Sequence, residues 1–408
     1  MMPIGWISAS PIARTGYGRM TKEIGYKLVD LGVDVSFVGS FGDVVIWGGV
    51  TEQYTPKGKK VTILSLTRPQ SAPDVIMEYA QEYGFKAVIG FMDCFGLEYL
   101  NELPLPVIGY IPIDGPFTHK MFDYLRNYYK IVAYSKFGYS ELQKWYSPSK
   151  IDFIDHGVDT ETFKPLNKQQ YDEAREWLLK EYDIPKDAFL AVDMAANVGP
   201  RKLLPLLMTT FSKLPYEDAH LFIFTNAYAP GQGYDLISHR INLKMEKRIH
   251  FPTRDPIIHP AEDETLRKLF GAAQVFVHDA VAEGCGLPQI EAMACGAPPI
   301  APDNSAQTEK TKGLGWLVQN LSRDAYFEYP VYVPTLQEYP IPDQRSLLSC
   351  LEEAYNSPDL VKKYSRKARR YVVKTHAWNK IMPQWISLIE NLEGEMEFFK
   401  GFAEAIRP

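Results

Sequence analysis

Short apolar runs separated by longer amphipathic stretches constrain this chain more than any other feature of its sequence. IGWIS (4–8), VDVSFVG (33–39), KAVIGF (86–91), PVIGYIPI (106–113), KIVAYS (130–135) and KIDFID (150–155) read as strands of a first unit. Between the first two, Met20, Ile24, Leu28 and Leu31 keep one helical face apolar until Gly32 stops the helix. A polar stretch, HGVDTETFKPL (156–166), reads as a linker, and a second series follows. Its strands are FLAVDM (189–194), HLFIFTN (220–226), RIHF (248–251), AQVFVHDA (273–280) and APPIA (297–301), with helices near 202–214, 263–271 and 288–295. Strand–helix alternation of this kind predicts the α/β class with parallel sheets. Two doubly wound, Rossmann-like domains facing each other across a cleft are expected, over 1–160 and 165–378. In such sheets ligands bind beyond the carboxyl ends of the strands, so the loops that follow strands are where chemistry is sought.

Composition narrows the function classes. A length of 408 residues suits two domains, and 46% apolar with 23% charged residues is ordinary for a globular protein. The net charge of −6 lacks the basic footprint of a protein that lives on bulk nucleic acid, so no nucleic-acid partner is expected. The first residues show no signal-peptide pattern and no apolar run reaches bilayer-spanning length, which predicts a cytoplasmic protein. Cys94, Cys285, Cys295 and Cys350 form no C-x-x-C pair and are expected as reduced, buried thiols. The basic run KKYSRKARR (Lys362–Arg370) fits a solvated helix face, or a peripheral membrane patch that meets a lipid-linked acceptor.

Three post-strand loops carry candidate chemistry. SPIARTGYG places Gly16 and Gly18 between the first strand and first helix, where bare amides can meet a phosphate or simply make a tight turn. It is not a dinucleotide fingerprint, because Thr21 stands where a small residue is needed and no acidic residue ends the second strand. AANVGPRKLLPLL (195–207) sets Arg201 and Lys202 near a helix start, where cations oppose the helix dipole. They make sense there if an anion such as a diphosphate lies between them and the helix, though a solvated turn also carries such residues. AEGCGLPQIEAMACGAPP (282–299) has Pro288 in the first turn of a helix and Gly296 just past its end. Glu283 is then on the loop and Glu291 in the first turn. Glu291 offers two acceptors to a vicinal diol such as a ribose, and Glu283 can face a sugar, unless both are surface carboxylates compensating the dipole. His156, His250 and His278 lie on or near strands and read as structural histidines.

Taken together these segments resemble retaining, family 4-type glycosyltransferases of the GT-B fold. EGCGLPQIEAMACGAPP is similar to their E-x7-E signature, IDHGVDTETFKP to their interdomain segment, and GPRKLLPLLMTTFSKL to their R-K stretch. The resemblance implies a nucleotide-sugar donor linked to UDP, GDP or ADP, and a glycan, lipid-linked or protein hydroxyl acceptor. Arg201 and Lys202 would hold the diphosphate, Glu283 the transferred sugar and Glu291 the ribose. The Gly284–Cys285–Gly286–Leu287 backbone would touch phosphate or sugar, and the Gly16–Tyr17–Gly18 loop would close on the phosphates. Asn197 joins the donor set, Pro252 and Thr253 would lie near the base, and a last helix over about 380–408 would cross back to the first domain. Departures from the family pattern are Cys285 where phenylalanine is common, NSAQTE (304–309) without its glycines, and Asp114 where a catalytic histidine often stands, with His119 farther on. Asp114 is the acceptor-side candidate, or else a cap or turn residue.

No D-x-D occurs, so neither metal nor other cofactor is expected, and leaving-group charge falls to Arg201, Lys202 and helix N-termini. The function expected is metal-independent hexosyl transfer with retention. A sugar-nucleotide epimerase or phosphorylase on the same fold, or a non-catalytic sugar-nucleotide-binding protein, are the other readings.

Overall fold

The computed structural model describes residues 2–39, 50–66, 72–229, 231, 233–322, 331–332 and 334–405. Residues 41–49, in a stretch (41–60) whose sequence FGDVVIWGGVTEQYTPKGKK matches no recognisable motif, lie outside these. The chain divides into two units, one of residues 1–157, 333–336 and 379–408, the other of 158–332 and 337–378.

The first unit holds β1 (Ile4–Ser8), β2 (Val35–Gly39), β3 (Val50–Tyr54), β4 (Lys60–Ser65), β5 (Ala87–Phe91), β6 (Val107–Ile111), β7 (Lys130–Ala133) and β8 (Ile151–Phe153). They run in the order β3-β4-β2-β1-β5-β6-β7-β8, all parallel except β3 against β4. The run β4-β2-β1-β5-β6-β7 is the doubly wound order whose direction reverses between β1 and β5, which opens a crevice at their carboxyl ends. The apolar runs form central strands because both faces are covered: β1, β5 and β6 are buried at every position. Trp6 of β1 is fully buried against Phe91 and Trp385, and Trp385 also meets Tyr110 edge-on at 4.8 Å between centroids. Trp385 belongs to the last helix, Trp378–Ala405, which from Asn379 onward is part of this unit.

The second unit holds β9 (Phe189–Met194), β10 (Ala219–Phe224), β11 (Ile249–His250), β12 (Val275–Val277), β13 (Pro299–Pro302) and β14 (Trp316–Val318). Its order, β11-β10-β9-β12-β13-β14, is all parallel and reverses between β9 and β12. Two expectations shift here. The run 273–280 contributes only Val275–Val277 to the strand, so His278 begins the loop beyond it. The helix expected from 288 begins at Leu287, so Glu291 is not in the first turn but one turn in, and it is buried.

Local rules explain the ends of that helix. Gly286 at its start has φ +78° and Gly296 past its end has φ +95°, backbone regions that an L side chain enters only with strain. Pro288 occupies the first turn, where its missing amide costs nothing. Arg369, inside the basic run, turns inward and donates to the carbonyls of Ala294, Phe163 and Thr160, pinning the far end of the same helix.

Candidate functional site

Four side chains of the second unit meet in one chain at the point where its sheet reverses. Asp193 is on β9, His278 is the first residue beyond β12, Glu283 lies in the following loop, and Lys202 ends the short 3-10 turn Pro200–Lys202 after β9. His278 Nδ1 lies 2.8 Å from Asp193 Oδ1, and His278 Nε2 lies 2.8 Å from Glu283 Oε1. The same Glu283 oxygen takes the Lys202 ammonium. Arg201 donates from Nη1 to the Ala282 carbonyl at 3.1 Å, and its own carbonyl accepts the Val281 amide, so the two loops are tied edge to edge. Asp193 and His278 are buried, and the side chains of Lys202 and Glu283 are 12% exposed each, so the chain of charges runs from the sheet outward.

The electrostatics follow from that packing. Burial alone would raise the Glu283 carboxyl, but the Lys202 charge, the hydrogen bond from His278 and the Arg201 charge hold it well below the usual range. Burial alone would lower His278, but its hydrogen bonds and charge contacts with Asp193 and Glu283 push it up to about 9. Burial draws Lys202 below its ordinary range, against the pull of Glu283. The neighbouring Asp279 is pushed up to about 8 by burial, while the amide of Gln344, which donates to its Oδ2 at 2.9 Å, works the other way. A carboxyl so placed is the neutral acid at pH 7.

The rest of the loop is held from below. The Glu283 amide donates to Ser305 Oγ at 2.9 Å, and the Asn304 side chain donates to the Val281 carbonyl. Ser305 has φ +50°, a left-handed position that favours glycine, although NSAQTE carries none. Gly284 and Cys285 are buried, and the Cys285 thiol lies 3.5 Å from Nζ of Lys310, itself fully buried. The four cysteines are free thiols, Cys350 half-buried and the others buried.

Other expected residues are held by different partners. Asn197 is spent on the backbone: its amide donates to the carbonyls of Asn226 and Tyr234 and accepts from the Tyr234 amide. Pro252 and Thr253 follow β11, two strands across from β9, and Thr253 is exposed with its hydroxyl on Glu181 at 3.0 Å. Gly16 and Gly18 are not in a loop but in the first turn of the helix Gly16–Asp30, and Thr15 caps it by accepting from the Gly18 amide at 3.0 Å. Gly18 is required by close approach, since a Cβ there would lie 2.4 Å from the Ala13 carbonyl oxygen.

The first unit has its own cluster where its strands end. Tyr17 packs edge-on against Phe91 and its hydroxyl is hydrogen-bonded to Asp93, two residues past β5. Burial, then the charges of Asp93, Tyr134 and Asp114, raise its phenol well above the usual range. Asp114 follows β6 and is half-buried; the following helix is capped by Thr118 instead, so Asp114 is not a cap. His119 is exposed, stacked edge-on against Trp145. His156 is structural as expected, bonded to Tyr110 and stacked on Tyr134, and His250 pairs with His220. His278 is likewise buried, and both its ring nitrogens are bonded, but its partners Asp193 and Glu283 are carboxylates, a pairing the sequence did not show. A signal was available: an aspartate inside the buried parallel run FLAVDM is tolerated only with a partner.

Residues 179–326, which contain Asp193, Arg201, Lys202, His278, Glu283 and Glu291, match the family described as Glycosyl transferases group 1. D-inositol 3-phosphate glycosyltransferase of Mycobacterium sp. (strain KMS) is 27% identical over 156 residues, 38% of this chain and 32% of that protein. The chain thus spans about a third of the length of the curated relatives it matches. Sucrose-phosphate synthase from Thermosynechococcus elongatus superposes with a TM-score of 0.75 at 18% identity, covering 97% of this chain and 100% of that one. The fold is GT-B. Two more solved structures are similar over nearly the whole chain. Anabaena HepE in complex with UDP-glucose has a TM-score of 0.72 at 13% identity, covering 96% and 100% of the two chains. Starch Synthase IV from Arabidopsis thaliana, bound to ADP and acarbose, has 0.66 at 12%, covering 96% and 99%.

Proposed function

We propose that this protein is a glycosyltransferase that moves a hexose from a nucleotide-diphosphate sugar to a hydroxyl acceptor with retention and without a metal. The observation that carries the reading is the convergence of Arg201, Lys202 and Glu283 beyond β9 and β12, within the segment that matches the group 1 family. Nucleotides named with solved relatives of this fold, UDP-glucose and ADP, are of the donor class proposed.

In this reading the Arg201 and Lys202 side chains neutralise the departing diphosphate, preorganised cations being worth most where charge develops. Glu283, already in contact with Lys202, orients the sugar hydroxyls, and amides of Gly284–Leu287 at the start of the helix face the phosphates. Glu291 serves the ribose from the buried side of that helix. In the first unit Asp114, beside Tyr17 and Asp93, is the acceptor-side group. Since the cations carry the leaving charge, transfer is expected to persist in EDTA. On the helix Pro358–Thr375, Lys362, Lys363, Arg366, Lys367 and Arg370 are exposed and would suit an anionic membrane if the acceptor is lipid-linked. Among the described residues no helix is long and apolar enough to cross one.

The test is a thermal-shift panel of UDP-, GDP- and ADP-sugars, followed by product analysis with candidate acceptors. One nucleotide class should raise the melting temperature by several degrees, because ligand at a hundred times its Kd adds about 2.7 kcal/mol. A panel in which no sugar nucleotide shifts the melting temperature overturns the reading.

A further inference from the structure

His278 contacts two carboxylate oxygens, one through each ring nitrogen, both at 2.8 Å. An ionised carboxylate only accepts, so two such contacts require two N–H donors, and only the imidazolium has both. The groups that act on the ring are Asp193 from β9 and Glu283 and Asp279 from the loop after β12, Phe276 stacks on it, and Lys202 and Arg201 from the loop after β9 act on Glu283.

Their charges can be counted. Glu283, held ionised by its partners, is neutralised by Lys202, and Asp279 is a neutral acid at pH 7. Asp193 is balanced by the imidazolium, which leaves the cluster with the single positive charge of Arg201. With a neutral imidazole that surplus vanishes, and an ionised Asp279 would turn the cluster negative. An anion arriving beside Arg201 and Lys202 therefore meets a positive site only while His278 holds its second proton.

We propose that His278 is a charge-setting and positioning residue of the diphosphate site, acting through Glu283 and Asp193, and that nucleoside diphosphates bind this protein tightly only while His278 is the imidazolium. This rests on the donor-site reading above. It adds a proton to what the site binds with its ligand and makes affinity fall toward alkaline pH. The raised affinity of His278 for its proton, to about 9, places the middle of that fall near pH 9.

Two measurements on the full chain decide it. The first needs no ligand: 15N-histidine NMR from pH 6 to 10, with the His278 signals assigned by their loss in His278→Asn. Both ring nitrogens should be protonated at pH 7.5. A neutral ring there overturns the inference. The second is calorimetric titration with whichever of UDP, GDP or ADP binds, between pH 7 and 9.5. Wild-type Kd should weaken at least tenfold, about 1.4 kcal/mol. Asp279→Asn, which mimics the neutral acid, should retain a fall set by His278 alone, and His278→Asn should bind weakly at pH 7 with a flattened profile. A wild-type Kd constant over this range, or a His278→Asn profile as steep as wild type, overturns it. If none of the three nucleotides binds, the donor-site reading fails first, and with it the ligand half of this proposal, while the NMR result still decides the protonation half.

Discussion

Both sheets carry an aspartate two residues past the strand that follows the reversal, Asp93 after β5 and Asp279 after β12. Their surroundings differ. Asp93 faces aromatic hydroxyls: it holds the Tyr17 phenol, and Tyr134 and Asp114 act on the same group. Asp279 lies beside a chain of opposite charges, Asp193–His278–Glu283–Lys202, and is kept neutral by burial. One doubly wound plan thus presents hydroxyls and acids at one crevice and balanced ions with a cationic surplus at the other. In the proposed function the first would meet the hydroxyl acceptor and the second the diphosphate, and the difference is made by a few residues just past the strand ends.

The comparison breaks most visibly at Glu283. Glu283→Ala leaves Lys202 and His278 without their shared acceptor in a nearly dry site, and losing one member of a buried ionic group costs about 3–5 kcal/mol. Urea denaturation should show the loss, and a cost near zero would mean that the charges are solvated rather than packed. Next comes pH. Native His278 keeps its proton to about 9 against an ordinary 6.5, so its contribution is whole below pH 6.5 and is gone once pH passes 9. Asp279 works in the same sense, holding its proton to about 8 against an ordinary 3.8. Stability should therefore fall by about 2 kcal/mol or more between pH 6.5 and 9.5, an order-of-magnitude figure from these shifts. His278→Asn should flatten the curve, and a variant whose curve keeps the wild-type slope would remove His278 from the account.

Smaller effects are expected at Lys202 and Tyr17. Lys202→Ala should cut transfer at least about tenfold, roughly 1.4 kcal/mol of barrier, and wild-type turnover would end its assignment to the diphosphate. Tyr17→Phe deletes one hydrogen bond in the first unit and should cost about 1 kcal/mol, read by denaturation, with nucleotide affinity unchanged. A loss of nucleotide affinity of about tenfold or more would erase the distinction between the two crevices.

Much of this molecule was legible before folding. Buried parallel strands are short and continuously apolar, so IGWIS, KAVIGF, FLAVDM and their counterparts announce themselves, and the glycine and proline around 286–296 announce a helix with fixed ends. β3, β4 and β14 escaped, β3 because an edge strand with half-exposed positions shows little contrast. The loops holding Arg201, Lys202 and Glu283 were found because residue types after strands carry information by position. What could not be read was partnership. His278 and Asp193 stand 85 positions apart in the sequence, and only the register that sets β12 against β9 brings them within hydrogen-bonding distance. The chain alone announced the buried central strands, the ends of the helix at 286–296 and the residue types at the strand ends, because these depend on near neighbours and on periodic burial. The fold settled that Asn197 is held by the loop after β10, that Glu291 is buried, and that His278 bridges two carboxylates, because charge and hydrogen bonding depend on whatever packing brings opposite.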